Sequence, residues 1–138
     1  MGAVRLLTCR PLTCPDVPVA LRALRGATTV DDDTPEQVKE RVQTLIAEIL
    51  ARNGVDHDDI VSMIFTATED IVSIFPAAAA RAAGLGDIPL LCARELSVTG
   101  ATGRCIRVLV HISTERPRSE LRHVYLEGAE ALRDDLPG

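Results

Sequence analysis

Hydrophobic positions recur at helical spacing in one long stretch of this chain and alternate or cluster in four shorter ones. Val38, Val42, Leu45, Ile46, Ile49 and Leu50 predict an amphipathic helix from about 35 to 52. Thr34 suits its N-cap, Pro35 the first helical position and Gln37 a capping box. Asn53-Gly54 ends it. Lys39, Glu40, Arg41 and Glu48 fall mostly on its polar side. Strands are expected at 19–25 (VALRALR), with a turn permitted at Gly26, and at 60–67 (IVSMIFTA) and 88–93 (IPLLCA). Residues 76–83 (PAAAARAA) predict a short helix between Pro76 and Gly84. Thr99-Gly100 and Gly103 mark a turn before a strand of about six residues, Cys105 to Val110. Pro117 opens a helical turn through Ser119, Glu120 and Leu121. Segment 123–132 (HVYLEGAEAL) fits helix or strand. Residues 1–18, with three prolines and two cysteines, show no periodicity and are expected to form a flexible N-terminal extension to a domain spanning 19–138. This element order points to an α/β or α+β domain on one mixed sheet.

One residue breaks the strand pattern. In Cys105-Ile106-Arg107-Val108-Leu109-Val110, alternation puts Arg107 on a face with Cys105 and Leu109. A charge buried on that face needs a partner, either another side chain or a ligand.

Composition narrows the ligand. The 138 residues carry a net charge of −5, and only 2% are aromatic, with no Trp. Binding of single-stranded nucleic acid, which needs a basic groove with stacking rings, is disfavoured. No apolar run approaches the roughly 18 residues of a membrane span. Leu6-Leu7 lies between Arg5 and Arg10 ahead of Pro11, so a signal-peptide core is missing and a cytosolic protein is expected. Cysteines 9, 14, 92 and 105 form no CxxC pair, and histidines 57, 111 and 123 have no metal-ligand spacing. A metal on Cys9 and Cys14, or a bond between them, is the minor alternative to free thiols.

Arginines gather near strands: Arg22, Arg25, Arg81, Arg104, Arg107 and Arg133. In an acidic chain they suggest a local pocket for a small anion. Their planar forks suit carboxylates, with Tyr125 as a further donor and Glu95 placed to accept a hydroxyl or face developing positive charge. No nucleophile elbow, phosphate loop or dinucleotide-binding glycine pattern is present. Cys92 as a nucleophile lacks a nearby His in sequence, and His123 reads better as a surface or packing residue than as a general base.

The segments RGATTV (Arg25 to Val30), FTATEDIVSIFPAAAAR (Phe65 to Arg81), IPLLCARE (Ile88 to Glu95), CIRV (Cys105 to Val108) and RHVYLEGAEALRDDL (Arg122 to Leu136) together resemble the small monofunctional chorismate mutases of the AroH type. The resemblance covers about residues 19–136 in the family's order and spacing. It implies a mixed five-stranded sheet with the long helix packed on it. It also implies a homotrimer with a barrel-like core and active sites in the clefts between subunits. Segment 123–132 becomes mainly strand under it. The implied reaction is the rearrangement of chorismate to prephenate, without metal or cofactor.

The family's roles carry over as follows. Arg107 matches the donor to the ether oxygen of the breaking bond. Arg25 and Tyr125 match carboxylate binders. Glu95 and Cys92 match residues around the ring hydroxyl. Phe75, Ala77, Leu90 and Leu132 match apolar walls, with Phe75 and Arg81 supplied by a neighbouring subunit. Arg133 matches a basic residue near the C-terminal segment. Ala78 and Leu91 depart from residues that are charged or polar in some relatives. Two other readings compete: an imine or enamine hydrolase on a similar trimeric fold, and a non-catalytic trimer that binds small anions. The first accounts for Arg107 but not for Arg25, Glu95 and Tyr125 together.

Overall fold

The computed structural model describes residues 19–133. The segment 1–18, with Cys9 and Cys14, lies outside the described residues, as do 134–138 and the side chain of Arg133. Strand β1 (Ala20–Thr29) leads to helix α1 (Pro35–Asn53), strand β2 (Ile60–Ala67) and the short helix α2 (Pro76–Ala80). Strands β3 (Leu90–Arg94), β4 (Cys105–Thr114) and β5 (Val124–Tyr125) follow. The sheet order is β3-β2-β4-β1-β5. It is mixed: β4 is antiparallel to β1 and β2, while β3 runs parallel to β2 and β5 parallel to β1. Among the described residues no helix is long and apolar enough to cross a membrane.

The long helix follows the apolar stripe that predicted it. Val38, Val42, Leu45, Ile46 and Ile49 are buried against Leu24, Met63, Phe65, Ile106, Val108, Val110 and Ile112 of the sheet. Its N-cap is half of the expected box. Thr34 Oγ1 accepts from Gln37 N at 3.2 Å, but the Gln37 amide oxygen accepts from the Asp31 and Asp32 N–H groups instead of the cap's own. The chain folds back before Thr34, so those two amides lie nearer. Gly54 ends the helix at φ 58, the left-handed conformation that closes many helices.

Three expectations are corrected. The chain does not turn at Gly26; β1 runs on to Thr29. Gly26 serves helix packing instead, because a Cβ there would stand 2.6 Å from Ile49 Cδ1 and 3.1 Å from Leu45 Cδ1. Strand β4 has 10 residues, extended by pairing with β1 and β2 on both sides. Segment 123–132 is not mainly strand: only Val124 and Tyr125 pair with β1, and Glu127–Arg133 forms a 3₁₀ helix. A left-handed Glu127 (φ 53) breaks the strand. The alanine-rich helix starts at Pro76 as expected and finishes in a wider π turn over Arg81–Leu85, with Gly84 at φ 94.

Helices α1 and α2 thus cover one face of the sheet. On the other face the C-terminal 3₁₀ segment covers one corner, where Ala129 and Leu132 pack on Ala27, Cys105 and Tyr125. The remainder carries exposed or half-buried Leu21, Ile64, Leu91, Ala93, Arg107 and Leu109.

Candidate active site

Strand register builds the site on the open face. One row crosses all five strands: Ala93 beside Thr66, Thr66 beside Arg107, Arg107 beside Ala27, and Ala27 beside Tyr125. Arg107 stands at the centre of this row, on the middle strand. The small neighbour Ala27 leaves space around its guanidinium. Arg25, Leu109 and Ile64 form the next row on the same face. Between the two rows lies a cavity of about 300 Å³ lined by Arg25, Arg107, Tyr125, Thr66, Ile64 and Leu109.

Arg107 is not a buried charge within one chain. Its side chain is 46% exposed, because its face of the sheet lacks a covering layer. Its nearest carboxylate is Glu95, whose Oε2 lies 3.5 Å from Arg107 Nε. A shorter contact holds that oxygen: Thr66 Oγ1 donates to it at 2.7 Å. Glu95 Oε1 accepts from Leu96 N at 3.2 Å. The hydrogen bond from Thr66 holds the Glu95 carboxyl below its usual pKa. Desolvation opposes this, and Leu96 N–H and the Arg107 charge add to it. Cys105, two residues from Arg107 on the same face, is buried. Burial pushes its thiol pKa up, against the influence of Arg107.

Backbone clamps set the outer members. Asn53, at the end of α1, is buried and fully bonded: Nδ2 donates to Ile49 O and Arg122 O at 2.8 Å, and Oδ1 accepts from Arg122 N at 2.7 Å. This fixes the chain three residues before Tyr125. His123 Nδ1 accepts from Arg25 N at 2.9 Å and ties the two carriers of the cavity together. Arg41, mostly buried, donates to Thr29 O at 2.9 Å and pairs with Asp31 and Glu127. Gly128 N donates to Thr29 Oγ1 at 2.9 Å. These contacts dock the segment that carries Leu132.

The other expected residues stand apart from this cavity. Phe75, 69% exposed, and Cys92 line a separate groove of about 520 Å³. Cys92 points to the helix-covered side, since it pairs with buried Phe65. Ala77 is buried in the core, Leu90 packs half-buried against it, and Arg81 is exposed on the π turn. Leu132 packs beside Tyr125. The arginine cluster divides as well. Arg22 lines a different cavity with His111 and Arg118. Arg104 donates to Asp31 O from a left-handed backbone (φ 45). Sequence reasoning missed Thr66, which alternation places on one face of β2 but only register sets opposite Arg107. It also missed the anchoring role of Asn53, taken for a helix stop.

The arrangement offers two cations and a phenol around a pocket with apolar sides, with an ionised carboxylate, Glu95, beside the Arg107 guanidinium and lining a neighbouring cavity. It suits a small molecule bearing carboxylates and a hydroxyl. The family model described as chorismate mutase type I matches residues 21–136. "Chorismate mutase AroH" of Thermus thermophilus is 45% identical over 117 residues, covering 84% of this chain and 96% of that protein. The protein of the same name from Bacillus subtilis is 40% identical over 117 residues, covering 84% of this chain and 92% of that one. A solved chorismate mutase from Clostridium thermocellum superposes with a TM-score of 0.77 at 43% identity, covering 79% of this chain and 97% of that one.

Proposed function

The chain belongs to the chorismate mutase type I family, and we propose that it converts chorismate to prephenate in the cavity of Arg25, Arg107 and Tyr125, completed by a neighbouring subunit. The convergence of those three side chains in one cavity carries this assignment of the site. Each relative named above is a chorismate mutase, which favours this reading over an imine or enamine hydrolase or a non-catalytic anion binder.

The chemistry explains the donor set. The rearrangement is intramolecular: a C–O bond breaks as a C–C bond forms, with no nucleophile, proton transfer or cofactor required. The substrate is a flexible dianion that must be held in a compact, chair-like conformer. In the proposed complex, Arg25 and Tyr125 hold carboxylate. Arg107 donates to the ether oxygen, which gains negative charge in the transition state. A fixed cation at that point stabilises the transition state more than the ground state. Glu95, ionised and anchored, faces the ring hydroxyl.

A homotrimer forms part of the same proposal. One chain leaves the Arg107 cavity and the Phe75 groove as separate half-sites, and leaves Leu21, Val72, Phe75 and Leu91 at least 60% exposed. A barrel-like trimer would cover this face and bring Phe75 and Arg81 of one subunit toward Arg107 of the next. Leu132 completes the proposed wall and Arg133 the closing segment, with Ala77 and Leu90 backing them from the core. A cytosolic location, with residues 1–18 as a dispensable extension, completes the reading.

The test is loss of chorismate ultraviolet absorbance in metal-free buffer, with prephenate identified as product. Conversion unaffected by chelator is expected. A folded protein that leaves chorismate untouched would overturn the assignment. Sedimentation should give three copies per particle, and a fully active monomer would refute the shared cleft.

A further inference from the structure

We propose that Thr66 is a positioning residue for this reaction: its hydroxyl fixes the carboxylate of Glu95 beside Arg107. The inference rests on the reading of Glu95 as a site residue and concerns what holds that residue in place.

Distances decide between the two candidates for this task. The ion pair of Arg107 Nε with Glu95 Oε2, at 3.5 Å, is too long for a good charge-assisted hydrogen bond. The Thr66 hydroxyl reaches the same oxygen at 2.7 Å, the usual length of such a bond from O–H. A hydroxyl has one proton to give, and here it goes to the carboxylate. Thr66 is itself immobilised, as a β-branched residue paired with Arg107 on one side and Ala93 on the other. It therefore transmits the register of β2 and β4 to a side chain that begins just beyond β3. The Glu95 N–H is held in the same way, donating to Ala67 O at 2.9 Å. Without the hydroxyl, Glu95 would swing toward Arg107 or out to solvent, and the cation meant for substrate would be partly neutralised.

The hydroxyl has an electrostatic effect as well. It is the largest influence keeping Glu95 ionised, ahead of Leu96 N–H and Arg107. The charged and titratable groups facing Glu95 are Arg107 on β4, the Cys105 thiol beside it, which burial keeps neutral, and Glu69 and Asp70, which share a cavity with it. Removing the hydroxyl therefore raises the Glu95 pKa, and the acid limb of the pH–rate profile moves to higher pH.

The experiment compares Thr66→Val, Thr66→Ser and Glu95→Gln by kcat/KM for chorismate across the acid range. T66V keeps the shape and removes the donor. It should lose about tenfold, the size of one hydrogen bond to a charged group, with the acid limb shifted upward. T66S should restore both rate and profile. If T66V does not fold, Thr66→Ala is read in the same way. An impaired E95Q beside a T66V of parental rate and profile overturns the role of Thr66 alone. A fully active E95Q overturns the reading of Glu95 and the role of Thr66 with it.

Discussion

Gly26 and Ile49 mark where α1 crosses β1 too closely for a side chain, since a Cβ on Gly26 would meet Ile49 Cδ1 at 2.6 Å. The helix thereby presses on the strand between Arg25 and Ala27, both of which line the cavity. Gly26→Ala should cost about 1–3 kcal/mol, the usual range for overpacking, seen as a lower urea midpoint. It should also slow turnover by tilting β1. Unchanged stability would mean that the Ile49 side chain rotates away from the added methyl at little cost.

Arg107→Ala should reduce kcat by at least about 10²–10³-fold, the effect of removing one preorganised donor to a developing oxyanion. Arg107→Lys should recover only part, because the charge returns without the planar fork. Steady-state rates with chorismate decide it; near-normal turnover in the alanine variant would refute the assigned role.

Asn53→Ala strips three hydrogen bonds and leaves Arg122 N and O without their partner at the end of α1. About 3 kcal/mol of stability should be lost, given about 1–3 kcal/mol for each buried polar group left unsatisfied. Equilibrium urea unfolding measures it. The remaining folded protein should bind substrate more weakly, since Tyr125 follows the released segment.

Asp33 and Asp70 predict the response to acid. The Ser73 hydroxyl lowers the Asp33 pKa most, and the Val72 and Ser73 N–H groups add to it. Burial raises that of Asp70, but bonds from Thr68 and the Arg104 N–H outweigh it. A carboxylate with a depressed folded pKa contributes stability above its unfolded value of about 4, which is lost as pH falls through the folded value. Thermal stability should therefore hold from neutral pH to about pH 4 and decline below it. Asp33→Asn should flatten that decline. Parallel curves for variant and parent would show that Asp33 does not contribute.

Much of this was legible in the sequence because it depends on local spacing. The apolar stripe of α1, the bounds of β2 at Ile60 and Ala67, and Pro76 at the start of α2 follow from periodicity and caps. Strand alternation singled out Arg107 and the arginine pattern Arg25, with Tyr125 as a further donor; the resemblance gave the three their roles, and the structure gathers them into one cavity. What sequence did not show depends on register and distance. Thr66 faces Arg107 only through pairing of strands about 40 residues apart, written as Thr66 opposite Arg107 in the sheet. Gly26 looked like a turn because its packing partner lies on a helix some 23 positions away, at Ile49. Arg107 looked buried because an apolar strand face is ordinarily covered, and within a single chain this one is not.

The strand order has a consequence for biosynthesis. Arg25 lies on the first strand and His123, which receives its N–H, 98 residues later. Tyr125 joins the sheet only by pairing with Ala27. A nascent chain on the ribosome can therefore form α1 early, but β1 must wait for β4 before it has a neighbour, and the cavity lacks Tyr125 until the last strand emerges. Such distant pairing favours slow, all-or-none folding over stepwise assembly. A chain stalled before residue 105 would leave β1 without a strand neighbour, and one stalled before residue 124 would have its sheet but a pocket without Tyr125.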